Sequence, residues 1–157
     1  MKKYLIVFLI SMVPLIELRG AIPYAVGFGL PIVPSIIVAV IGNMLPVPFI
    51  FLFARRILEW GKDKRFIGHF FTWCLEKGEK GGEKLKAKAG SGLYIALLLF
   101  VGIPLPGTGA WTGTLAASIL DMDFKKSALF VLLGVLLAGA IMLAGSLGVF
   151  GAINVLK

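Results

Sequence analysis

The chain has 157 residues, 59% hydrophobic and 15% charged, with a net charge of +8 and a mean hydropathy of +0.97. A soluble domain carries about 25% charged and 45–50% apolar residues, so polar side chains cannot cover this chain and lipid must. The charge excess does not indicate nucleic acid: ten of the sixteen Lys and Arg residues fall between Arg55 and Lys88, as in a cytoplasmic loop that follows the positive-inside rule.

Lys2 and Lys3 followed by Tyr4–Ile16 have the look of a signal peptide, but small residues are wanted at both −3 and −1 of a cleavage site. A cut after Gly20 puts Leu18 at −3, and one after Ala21 puts Arg19 there; the segment is read as retained. Thirteen residues from Tyr4 to Ile16 make a helix of about 20 Å, too short for the roughly 30 Å of hydrocarbon. A break then runs from Pro14 through Glu17, Arg19 and Gly20 to Pro23, followed by a second short apolar arm to Leu30.

Pro31–Ala54 is long and free of ionised residues, a spanning helix kinked at Pro46 and Pro48, since proline lacks the N–H of the helical ladder. From Arg55 to Leu75, Ile67, Phe70, Phe71 and Cys74 recur at helical spacing among basic residues, with Trp60 and Trp73 near the ends. That pattern suits a helix lying on an anionic membrane surface. Glu76–Gly92 is composed like a solvated linker.

The plan of the first stretch then returns. Leu93–Ile103 is a short arm, Pro104-Leu-Pro106-Gly107-Thr108-Gly109 a break, and Ala110–Leu120 a second short arm. Ser127–Phe150 is a second spanning helix, with Gly134, Gly139, Gly145 and Gly148 offering close-packing faces. Gly20-Ala21 matches Gly109-Ala110, and Ser35–Gly42 matches Ser127–Gly134, with a three-residue difference in length between the anchors.

Each half therefore reads as arm, break, arm and span. If arm, break and arm form a re-entrant hairpin, each half crosses an odd number of times and the second copy is inverted, a recurring transporter design. The expected fold is an all-α, multi-pass integral membrane protein of the cell membrane in one domain, residues 1–157. Residues 1–54 form the first repeat, 55–92 the basic amphipathic and linker segment, and 93–157 the second repeat.

Intramembrane ionisable residues are functional candidates by default, because an ionised group at a helix centre costs roughly 2.5–3.5 kcal/mol. Glu17 and Arg19 are the sharpest. If helix restarts near Ala21, Pro23 falls in its first turn. If helix restarts near Ala110, Thr108 is a suitable N-cap. Both restarted helices would aim N–H groups at the interior, where helix N-termini bind anions. Gly107 and Gly109 would let a ligand approach the backbone, Thr108 and Thr112 offer hydroxyls, and Arg19 supplies fixed positive charge.

The candidate substrate-binding set is Glu17, Arg19, Gly20, Pro23, Asn43, Pro104, Pro106, Gly107, Thr108, Gly109, Trp111 and Thr112. Asn43 reads equally as an interhelical hydrogen-bonder, and Trp111 as a wall of the site or plain packing. Cys74 is the sole cysteine and His69 the sole histidine. No disulfide within the chain, metal site, cofactor or soluble catalytic constellation is signalled, and no enzyme activity is expected.

At Glu17-Leu-Arg19-Gly20-Ala21-Ile22-Pro23 and Pro104-Leu-Pro106-Gly107-Thr108-Gly109-Ala110-Trp111-Thr112-Gly113 the chain resembles the putative small multidrug export protein family. The layout is also similar to the DedA/VTT superfamily of paired re-entrant hairpins. That likeness implies translocation of polyprenyl phosphates or phospholipids, proton-coupled in some members. The DedA second-hairpin motif has an arginine after its prolines, where this chain has Thr108-Gly109.

The sequence reading is a transporter for an anionic amphiphile, held by Arg19 and the helix N-termini, with Glu17 exchanging a proton or pairing with Arg19. Membrane lipid, coupling protons and a second copy in a homodimer are the expected partners. The alternatives are a drug or cation exporter with Glu17 as the cation site, and a non-transporting scaffold.

Overall fold

The computed structural model describes residues 2–14, 16–62, 68, 69, 72, 92–105 and 107–155, and among these every regular element is helical. In chain order they are α1 (Lys2–Met12), α2 (Glu17–Gly27), α3 (Ile32–Met44), α4 (Val47–Lys62), α5 (Leu93–Gly102), α6 (Ala110–Ile119) and α7 (Phe124–Val155). The expected arms, breaks and long helices are all present. Two boundaries differ most: the first arm ends at Met12 and helix resumes at Glu17, so the first break is shorter than Pro14–Pro23, and α4 passes through Ala54 and Arg55 without interruption, so helix continues into the basic segment. Beyond α4, the expected surface helix (Ile67, Phe70, Phe71, Trp73 and Cys74) and most of the Glu76–Gly92 linker lie outside the described residues.

The eleven residues of α1 make a rod of only about 16 Å, and α2 runs back along it. A Cβ placed on Gly20 would lie 3.6 Å from Ile10, and the Lys3 ammonium sits 5.3 Å from the centre of the Phe28 ring. α6 returns along α5 in the same sense. Leu93, Leu97 and Phe100 share a small apolar cavity of about 220 Å³ with Ala116, Ala117 and Leu120. Each proline-led break is thus the bend of a helical hairpin.

The same backbone features recur 92 residues apart. α2 opens at Glu17 (φ 51°), and Gly109 (φ 133°) immediately precedes α6. α2 closes with Leu30 N–H donating to Ala25 O at 2.9 Å around Gly29 (φ 63°), and α6 with Met122 N–H donating to Ala117 O at 3.0 Å around Asp121 (φ 52°). Both are Schellman closures, which satisfy carbonyls the helix end leaves unpaired. The next helices start alike, Ser35 N–H bonding Pro31 O and Ser127 N–H bonding Asp123 O. This register corrects the sequence alignment. Glu17, not Gly20, corresponds to Gly109, and the three-residue difference vanishes because Gly20-Ala21 lies inside α2, whereas Gly109-Ala110 is a helix junction.

The two long helices pack against the first arms at corresponding glycines. A Cβ on Gly42 of α3 would come within 2.7 Å of Phe8 O in α1, and one on Gly134 of α7 within 2.8 Å of Leu98 O in α5. Neither position has room for a side chain, so these contacts set how closely the helices approach. Ile32–Phe53, which includes the α3–α4 kink at Leu45-Pro46, and Phe124–Val149 are long and apolar enough to cross a membrane, with mean hydropathies of 2.4 and 2.6. α7 starts where the Asp123 carboxylate accepts the Lys126 N–H at 2.9 Å, an N-cap bond. α2 packs against α7 and α6 against α4, so the two hairpins meet between the long helices.

Candidate functional site

Glu17 lies at the start of α2 and is 4% exposed. Its carboxylate reaches across the fold: Oε2 accepts the Ala110 N–H at 3.1 Å and Oε1 the Trp111 N–H at 3.0 Å. These are among the first N–H groups of α6, which a helix cannot satisfy internally, and a negative charge there also complements the positive end of the helix dipole. Gly109 permits the approach. Its φ of 133° is open to glycine and hostile to other residues, and a Cβ on it would overlap the Glu17 carboxylate.

Two expectations are corrected here. Thr108 is not the N-cap of α6; Gly109 holds that position without a side-chain cap bond, and the cap arrives from the other hairpin. The α6 N-terminus is therefore already occupied by the chain's own carboxylate. Likewise α2 begins at Glu17, not Ala21, which puts Pro23 inside the helix.

Arg19, in the first turn of α2, turns to the other side of the same break. Its Nη1 donates to Leu105 O, and its Nη2 donates to Thr108 Oγ1 at 2.7 Å and to Ile103 O at 3.4 Å. The Thr108 hydroxyl in turn lies 2.8 Å from Leu105 O and 3.0 Å from Ile103 O. These carbonyls follow the end of α5, where acceptors lack helical partners, and a guanidinium suits several at once because its donors form a fixed fork. Trp111 does the reciprocal work, its indole N–H donating to Met12 O at the end of α1, 3.2 Å away. Arg19 and Trp111 hold the same place in the two second arms, and each caps the first arm of the other hairpin. No ion pair joins Glu17 to Arg19 among the described residues; each bonds to the second break instead.

Because Arg19 contacts Thr108 directly, Arg19→Cys and Thr108→Cys in a Cys74→Ser background should form a short-span crosslink in membranes. Failure of that pair to crosslink, with both single cysteines labelled, would contradict the cross-capped arrangement.

A groove of about 490 Å³ opens beside this junction, between α4 and α6. Its wall is Pro14, Phe49, Ile50, Phe53, Ile57, Trp111 and Leu115, and its polar lining is Glu17, Thr108 and Thr112. Of the expected site residues, the groove brings together Glu17, Thr108, Trp111 and Thr112, while Gly109 supports Glu17 and Arg19 sits behind Thr108. Trp111 is both wall and hydrogen-bond donor. Gly20 and Pro23 lie along α2 away from the lining. Gly107 (φ 80°) is an exposed turn residue, Pro104 is half-buried in the bend, and Pro106 lies outside the described residues. Asn43 is 2% exposed in α3, its Oδ1 without a hydrogen-bond partner, and it does not line the groove.

Phe49, Phe53 and Ile57 are the functional candidates missed in the sequence. They recur every fourth residue, one stripe of α4, and that spacing could have been noticed. In an all-apolar span, however, nothing local separates a groove-lining stripe from a lipid-facing one.

The family model described as Putative small multi-drug export protein matches residues 17–141. No curated protein and no solved structure matches the chain.

Proposed function

This chain belongs to the putative small multi-drug export protein family, and from that premise we propose that it exports lipophilic cations through the α4–α6 groove, with Glu17 as the charge partner. The observation that carries this reading is the composition of the groove. Among the described residues lining it, Glu17 is the one ionisable group, and Phe49, Phe53 and Trp111 supply aromatic faces. A cation in an apolar, water-poor site is favoured by a carboxylate and by aromatic faces together. The anionic-amphiphile reading needs the Arg19 guanidinium turned to the ligand, and that group is committed to Thr108 and two carbonyls.

The two halves serve this function as inverted repeats with re-entrant hairpins. Support comes from the 92-residue register of helix starts and closures, the matched close contacts at Gly42 and Gly134, and arms too short to cross alone. Binding sites at the interface of such repeats, formed by discontinuous helices, are a general feature of transporters built this way.

The test is binding of labelled tetraphenylphosphonium to the purified protein in lipid nanodiscs, beside a labelled polyprenyl phosphate. Tetraphenylphosphonium should bind to wild type and to Arg19→Lys, and binding should be lost in Glu17→Gln and weakened in Phe53→Ala. Polyprenyl phosphate binding that survives Glu17→Gln and disappears in Arg19→Gln would overturn the reading in favour of an anionic lipid.

A further inference from the structure

We infer that Glu17 is a proton–cargo exchange group that doubles as a latch: ionised, it fastens α6 to the first hairpin through both oxygens and holds the cation, and protonated it holds α6 by one oxygen at most and no longer holds the cation. The inference rests on the groove reading for its cargo half; the latch half stands on hydrogen bonds alone.

Both carboxylate oxygens are engaged at the α6 N-terminus, and two N–H bonds leave lone pairs of a carboxylate free toward the groove. An ionised Glu17 can therefore cap α6 and face a cation at once. A proton from the aqueous phase, bound to one oxygen, changes both relations. It presents an O–H where an acceptor stood, removes the charge that the α6 dipole attracts, and removes the counter-charge of the cargo. When the proton returns to water, the carboxylate is restored. Proton and cargo thus exclude each other, and the proton also loosens the hold on α6.

The loosening is one-sided. Arginine stays charged throughout the accessible pH range, so Arg19 keeps its hold on the carbonyls after α5 while the α6 end loosens. Between these two ends lie Gly107 and Gly109, at φ 80° and 133°, able to absorb a backbone change without side-chain clash. Glu17 itself holds a φ of 51°, a sparsely populated conformation for a residue with a side chain.

No other described titratable group shares the groove. α6 carries none. On α1, Lys2, Lys3 and Tyr4 lie at the opposite end from the break; on α4, Arg56 and Glu59 line a separate cavity with Asp121. Tyr94 of α5 meets Asp123 and Lys126 at the start of α7. On α2 itself, Tyr24 stacks on Phe28 and Arg19 faces the α5 end.

Trp111 reports the latch, since its backbone N–H is held by Glu17 and its indole by Met12. In a Trp60→Phe, Trp73→Phe background it is the sole tryptophan. In nanodiscs without cargo, acidification should red-shift its emission and raise acrylamide quenching with a single midpoint. Saturating tetraphenylphosphonium should move that midpoint to lower pH, by reciprocal linkage. Glu17→Gln should abolish the pH response, and Glu17→Asp, which keeps a titratable group, should retain one; together they separate loss of the proton site from loss of fold. A pH response unchanged in Glu17→Gln, or none in wild type, overturns the latch, even where tetraphenylphosphonium binds and the export reading survives. A Glu17-dependent response that tetraphenylphosphonium neither shifts nor accompanies with binding overturns the exchange and the export reading together, while the latch remains.

Discussion

Glu17→Ala is expected to lower the thermal stability of the detergent-solubilised protein sharply and to eliminate cation binding. The substitution strips the Ala110 and Trp111 N–H groups of their acceptor in a buried junction. Each buried donor left unsatisfied costs roughly 1–3 kcal/mol, so the expected loss is about 2–6 kcal/mol, a large part of the stability of an ordinary domain. Glu17→Gln is isosteric but presents one acceptor oxygen and an NH₂ in place of two oxygens, so it should keep one cap bond and fall between wild type and Glu17→Ala. Thermal unfolding followed by tryptophan fluorescence, with monodispersity checked by gel filtration, gives the order. An Ala variant as stable as wild type would mean that the α6 end finds another partner, and the cross-cap would lose its structural meaning.

Gly109→Ala should be almost as damaging, although it adds one methyl group. Its Cβ would overlap the Glu17 carboxylate, forcing the carboxylate off the α6 N-terminus. The backbone at φ 133° is additionally strained for any residue with a side chain, by about 1–3 kcal/mol. The informative measurement is the double-mutant cycle with Glu17→Ala. Once the carboxylate is gone, the alanine methyl group has space and only the backbone strain remains. The double variant should therefore be clearly more stable than the sum of the two losses, since residues in direct contact couple. Additive losses would show that Gly109 serves the turn alone and has no part in seating Glu17.

Much of the architecture follows from local pattern. Long apolar runs and proline-led breaks specify helices and where they end, because each effect acts within a few residues of its cause. Thus the short arms around Pro14 and Pro104, the long helices ending in α4 and α7, and the prominence of Glu17, Arg19 and Thr108 could all be read from residues 1–157 without coordinates. The partners of those residues could not. Backbone groups exposed at one break are satisfied by side chains about ninety residues away: Glu17 on Ala110 and Trp111, Arg19 on Leu105, Trp111 on Met12. An unpaired N–H or carbonyl accepts any suitable side chain that docking brings within reach, and sequence spacing carries no record of that docking. The same holds for the groove. Phe49, Phe53 and Ile57 become its wall only because α6 lies beside α4, and Arg19 ceases to be a free cation only because the end of α5 comes to meet it.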